Sequence, residues 1–124
     1  MSMNIYSINH SSLIVANLDK SLAFYSGILG LQQVERPDLG FPGAWFQLGE
    51  QQIHLLELEN PDPTTGRPEH GGRDRHVALN ALALAPIQDI LNQAGITYTM
   101  SKSGRRALFC RDPDGNAIEI IERS

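Results

Sequence analysis

Asp112-Pro113-Asp114-Gly115-Asn116-Ala117-Ile118-Glu119-Ile120-Ile121-Glu122 decides how the rest of the chain is read. Pro-Asp-Gly is a tight turn: proline presets φ, aspartate accepts local backbone hydrogen bonds, and glycine takes a left-handed conformation. The β-branched run that follows predicts a strand. Side chains alternate along a strand, so Ala117, Glu119 and Ile121 share one face, and Ile118, Ile120 and Glu122 the other. Glu119 is thus a carboxylate set among isoleucines. Burying it is costly unless it is paired or binds a cation.

Working outward, the spacing predicts the order strand-helix-strand-strand-strand, twice. The first copy has a strand over 5–15, a helix from Leu18 with Asn17 as N-cap and Gly30 as its stop, and strands over 31–35, 44–48 and 52–57. The second has a strand over 75–81, a helix opening at Pro86 and closing at Gly95, and strands over 96–100, 106–111 and 117–122. Residues 60–72, with three prolines and three glycines, form a linker. His10 and His54 are 44 residues apart, and His76 and Glu119 are 43 apart, as two copies of one unit require. The expected fold is α+β: two tandem βαβββ modules, about 5–59 and 74–124, within one domain over 1–124. Each curved mixed sheet is covered by helix on one side, and the other sides enclose a shared cavity.

At 124 residues and 41% hydrophobic, the chain has enough material for one core and too little for two ordinary domains. A net charge of −4 provides no field for nucleic acid or an anionic membrane. No apolar stretch is long enough to span a bilayer, no signal-peptide pattern opens the chain, and the one cysteine, Cys110, excludes an internal disulfide. The expectation is a cytoplasmic protein without nucleic-acid or membrane partners.

The repeat puts His10 and His76 on the first strand of each copy and His54 and Glu119 on the last. All four are expected on the cavity face, whereas Glu57 and Glu122 point away from it by parity. Imidazole and carboxylate together suit one divalent ion among Fe, Mn, Ni, Co and Zn rather than calcium, which prefers oxygen alone. His70 lies in the linker without a counterpart and is expected to be solvated. The arginines at 67, 73 and 75 admit two readings: recruitment of an anionic substrate group, or a solvated loop paired locally with Glu69 and Asp74. Trp45 and Phe46 must face opposite ways, in an order that parity leaves open. Cys110 is expected to be a small buried hydrophobe, and Arg105-Arg106 the start of an exposed strand.

With these residues in place, the chain resembles the vicinal oxygen chelate superfamily, which includes glyoxalase I, extradiol dioxygenases and bleomycin-resistance proteins. The resemblance rests on Ile8-Asn9-His10, on Phe24-Tyr25-Ser26-Gly27-Ile28-Leu29-Gly30-Leu31, on His76-Val77-Ala78-Leu79, and on Asp112-Pro113-Asp114-Gly115-Asn116 leading to Glu119. It covers nearly the whole chain. It implies a metal-dependent enzyme with lyase, isomerase or oxygenase chemistry, in which the ion acts as a Lewis acid on a small substrate with adjacent oxygen donors. His10, His76 and Glu119 match the family's ligand positions, and the resemblance to glyoxalase I allows Glu119 to exchange between ligand and base. His54 departs from glyoxalase I, which looks acidic there. It is either a fourth ligand or a general base. The alternative is a non-catalytic small-molecule or antibiotic-binding protein. Analogy with the family implies a homodimer, with sites often built from two chains.

Overall fold

The computed structural model describes residues 4–123. It contains two four-stranded mixed sheets, each of the predicted βαβββ order. The first has β1 (His10–Val15), β2 (Gln32–Val34), β3 (Gly43–Leu48) and β4 (Gln51–Glu57), in the spatial order β1-β4-β3-β2. The second has β5 (His76–Ala81), β6 (Thr99–Met100), β7 (Ala107–Arg111) and β8 (Ala117–Glu122), in the order β5-β8-β7-β6. In each sheet the first and last strands pair in parallel and the other pairs are antiparallel. The registers repeat: His54 lies opposite Ser12, two residues beyond His10, and Glu119 lies opposite Ala78, two beyond His76.

The first strand is shorter than predicted, beginning at His10; Ile5, Tyr6 and Ile8 precede it and are exposed. Helix α1 (Leu18–Leu22) starts as expected, with the Asn17 side chain accepting from the Lys20 amide at 3.0 Å. It does not continue as a regular α-helix. Over Ala23–Ile28 the turns widen, and the Leu29 amide bonds to the Phe24 carbonyl five residues back. Helix α2 (Ala85–Gln93) has proline in its first turn, as predicted, and buries Leu91, whereas the neighbouring Ile90 is 40% exposed.

One hydrophobic core runs through both modules. Tyr25, Phe46, Leu55, Leu84, Leu91, Leu108 and Ile118 are fully buried in it. Each such side chain contributes on the order of 1.5–3 kcal/mol by leaving water. Phe46 takes the core position and Trp45 the opposite face. Cys110 is buried as expected, and burial raises its thiol pKa from 9.0 to about 12.

The turn at 112–116 binds the modules together. Asp112 accepts from the amides of Asp114 and Asn116, both at 2.9 Å, and from the Tyr25 phenol at 2.6 Å. Burial still raises the Asp112 pKa, against the effect of these hydrogen bonds. Asp114 accepts from the Ala16 amide at 2.9 Å, and the Asn116 amide group donates to the Ile14 carbonyl at 3.3 Å. Gly115 has φ +85°, and a Cβ there would stand 2.8 Å from the Thr64 carbonyl oxygen, so glycine is required twice over.

The linker is pinned rather than loose. Asp74 receives both Arg67 and Arg111, whose hydrogen bonds hold its carboxyl well below the usual carboxylate range. Arg75 pairs with Asp62 at 2.9 Å. His70, expected in solvent, instead joins the linker to β6. Its Nδ1 accepts from the Gly72 amide at 3.0 Å, and its Nε2 donates to the Met100 carbonyl at 3.1 Å.

Candidate metal centre

Strand parity places the four predicted donors on the helix-free faces. In β1, His10 and Ser12 are exposed, whereas Val15 is buried. In β4, Ile53 and Leu55 enter the core while His54 stays on the other side. His76, Ala78 and Asn80 are the exposed positions of β5. Glu119 is 2% exposed, a carboxylate withdrawn from water on the open face of β8.

The donors meet as two pairs. The rings of His10 and His54 stack, with centroids 4.0 Å apart and planes 16° from parallel, and Trp45 stacks on the other face of His54 at 4.2 Å. In the second module His76 Nε2 lies 3.2 Å from Glu119 Oε1. Within one chain the sheets remain open and the pairs stay apart. Among the described residues no group of three or more histidine, cysteine, aspartate and glutamate side chains is gathered closely enough to hold a metal ion.

Hydrogen bonding fixes which ring nitrogens are available. His76 Nδ1 is 2.8 Å from the Asp74 carbonyl, an acceptor only, so Nδ1 carries hydrogen and Nε2 faces Glu119. The open Nε2 and the carboxylate thus lie side by side as a nitrogen and an oxygen donor of the kinds that bind divalent ions. His10 repeats the arrangement: its Nδ1 donates to the Asn9 side-chain oxygen at 2.7 Å, leaving Nε2 free. A histidine that donates one ring N–H to an oxygen while its other nitrogen stays open has the usual outer bonding of a metal ligand. His54 is held the other way round, with Nε2 on the Gln52 side-chain oxygen at 2.7 Å and Nδ1 open. Burial, then His10 and then Arg36 lower its pKa below 6.5, so the ring is neutral at pH 7.

The residues therefore fit a divalent ion as two half-sites, each with a histidine of the same tautomer on the first strand of its module.

Arg105 was not anticipated at the site. Its guanidinium donates to Glu119 Oε2 at 3.0 Å. The signal was present in the parity of β7: Arg105 has the phase of Ala107 and Phe109, and Phe109 lies directly opposite Glu119. The partners that burial of Glu119 demanded are, among the described residues, His76 and Arg105.

The sequence model of the Glyoxalase/Bleomycin resistance protein/Dioxygenase superfamily matches residues 7–120. The chain is 31% identical over 124 residues to Glyoxylase I 4 of Arabidopsis thaliana, covering 95% of this chain and 71% of that one. It is 31% identical over 125 residues to a lactoylglutathione lyase of Neisseria meningitidis serogroup A, covering 92% and 88%. A crystal structure of a glyoxalase family protein from Bacillus anthracis superposes with a TM-score of 0.82 at 24% identity, over 100% of both chains. With two βαβββ modules in the same order and a family match over almost its full length, the chain belongs to the Glyoxalase/Bleomycin resistance protein/Dioxygenase superfamily.

Proposed function

We propose that the protein is a metal-dependent enzyme of the glyoxalase/dioxygenase type, acting on a small substrate with adjacent oxygen donors, and that two copies build each site. The observation that carries this reading is the approach of His76 Nε2 to Glu119 Oε1 at 3.2 Å, with Nδ1 already committed to a carbonyl. Relatives bearing the name lactoylglutathione lyase favour lyase chemistry over oxygenation.

His10, His76 and Glu119 would hold the ion, His10 coming from one copy and the other two from its partner. Bound there, the ion supplies Lewis-acid polarisation of the substrate's neighbouring oxygens. His54 is the proton carrier. It is neutral at pH 7, its Nε2–H is anchored on Gln52, and Nδ1 is left as the acceptor. Trp45 covers one face of the His54 ring and limits water on that side. Glu119, buried beside His76 and Arg105, can serve as ligand or as a second base. Arg105 neutralises it whenever the ion is absent.

A second reading is favoured by one feature. The rings of Trp45, His54 and His10 stack face to face as a column, and the outer face of the exposed His10 ring can extend it by stacking a planar small molecule without transforming it.

Elemental analysis of untagged protein, as isolated and after loading with Fe, Mn, Ni, Co or Zn, tests the first reading. About one ion per chain is expected in wild type and in His70→Ala, and much less in His76→Ala. Absence of metal under every loading condition would overturn it in favour of binding alone.

A further inference from the structure

A recess of about 300 Å³ opens beside the His76–Glu119 pair, with Phe109 in its lining. Three cations line it: Arg73 from the linker, and Lys102 and Arg105 from the loop joining β6 to β7. Glu119 is the one carboxylate in the lining, and it is taken up by Arg105. This is a locally positive hollow on a chain of net charge −4.

The other arginines of this region have fixed partners. Arg67 and Arg111 hold Asp74, Arg75 holds Asp62, and Arg106 holds Glu122. Among the described residues, Arg73 and Lys102 have neither an ion-pair partner nor a side-chain hydrogen bond. Glu69 lines the adjoining recess with both of them and pairs with neither. Two unpaired cations held at one rim are ordinarily kept apart by their own repulsion. Here the backbone fixes both anchor points. Arg73 sits on a tight turn capped by His70, and the Lys102 loop is folded by the Ser101–Ser103 hydroxyl contact at 2.8 Å and by Gly104 at φ +86°.

Arg105 already shows what the recess recognises. It bonds a carboxylate oxygen at 3.0 Å, and its Nε is steadied by the Ser103 hydroxyl at 3.2 Å. Its side chain is 57% exposed, so it can turn from Glu119 to a second anion without unfolding anything.

We propose that the recess is an oxyanion subsite: substrates of this protein carry a carboxylate, phosphonate or phosphate group that Arg73, Lys102 and Arg105 receive beside His76 and Glu119. The assignment deepens the proposed enzyme reading by naming the charged end of its substrate, but it can be tested without that reading. At this volume the recess takes the charged group itself, and the rest of the molecule extends over the face of His76. The first of the two readings of the linker arginines then holds for Arg73 alone.

The test uses metal-free protein titrated with inorganic phosphate and, separately, with acetate, at constant ionic strength, by calorimetry and by amide NMR shifts. One of the two anions should saturate, with shifts concentrated at residues 71–73 and 101–105. Arg105→Gln and the double variant Arg73→Gln/Lys102→Gln should each weaken it about tenfold or more, the loss of a charge-assisted hydrogen bond. Lys20→Gln, on α1, removes the same unit of charge elsewhere and should change binding less than twofold. Preference for phosphate assigns a phosphate or phosphonate group, and preference for acetate a carboxylate. Failure of both to saturate, or equal weakening by Lys20→Gln, would overturn the subsite. Anion binding in protein that takes up no metal would sink the enzyme reading and leave the subsite standing. Metal uptake without anion binding would do the reverse.

Discussion

The phenol of Tyr25 donates a 2.6 Å hydrogen bond to Asp112, joining the first helical segment to the turn that opens the last strand, 87 residues away. Tyr25 is fully buried and Asp112 is 5% exposed. Removing the hydroxyl leaves a buried carboxylate short of a donor. Tyr25→Phe is therefore expected to lower stability by about 1.5–3 kcal/mol, the range for a hydrogen bond to a charged group. Urea unfolding should show a lower midpoint with an unchanged slope. A midpoint equal to wild type would mean that the Asn116 and backbone donors hold Asp112 unaided.

Glu57 and Glu122 close the two modules in the same way. Glu57 Oε2 accepts from the Leu18 amide at 2.7 Å, and Glu122 Oε1 from the Leu84 amide at 3.0 Å. Each places a carboxylate at the start of its module's helix, where unpaired amides and the helix dipole favour negative charge. Glu57→Ala should cost about 1 kcal/mol, as loss of a cap does. Arg106, and then the Leu84 amide, lower the Glu122 pKa below 4.5 in the folded state. The folded chain thus gives up this proton more readily than the unfolded chain. The stabilisation is present above pH 4.5 and is lost as pH falls through the lowered value. The Tm difference between wild type and Glu122→Gln should be largest near pH 7 and shrink toward zero under strong acid.

These caps explain why much of the fold could be read in the sequence. Glu57 and Glu122 had to leave the cavity face because strands alternate, and the helix termini are what they found there. The placement of His10, His54, His76 and Glu119 on open faces followed from the same alternation. Arg105 is exposed, as expected, and shares the parity of Phe109 opposite Glu119, but it precedes β7, where alternation alone does not fix a side chain's direction. Gly104, at φ +86°, lets the chain turn so that the guanidinium returns to Glu119. His70 was misread because its partners, the Gly72 amide and the Met100 carbonyl, are backbone groups that no side-chain pattern reveals. The separation of the donors into two pairs is a matter of how whole modules face one another, and strand periodicity does not encode that.

Cys110 should be chemically silent in the folded protein. Its pKa of about 12 leaves almost no thiolate at pH 8, and its side chain lies in the core. A disulfide reagent such as dithionitrobenzoate should react with less than about 1% of native thiol on the timescale that fully labels urea-unfolded chain. The thiol also makes stability fall with alkali. Unfolded Cys110 loses its proton near 9.0 while the folded thiol keeps it to about 12, so unfolding is favoured progressively between those values. Cys110→Ala should flatten the alkaline limb of the stability curve, although it costs some stability at neutral pH through the cavity it leaves.

The two histidine tautomers lead to a test of how the halves combine. His10 and His76 present the same nitrogen, Nε2, from equivalent strands, yet their pairs do not meet within one chain. If a site takes His10 and His54 from one copy and His76 and Glu119 from another, two dead variants can repair each other. His10→Ala/His54→Ala retains a good second module, and His76→Ala/Glu119→Gln a good first module. Each alone should bind no metal. Mixed in equal amounts under conditions that allow subunit exchange, half of the dimers become hybrids with one intact and one doubly broken site. Metal uptake should then recover to about a quarter of the wild-type value per chain. Isolated hybrids, separated by two different tags, should hold one ion per dimer. A single-chain site predicts no recovery at any mixing ratio, because every chain in the mixture lacks half of its donors.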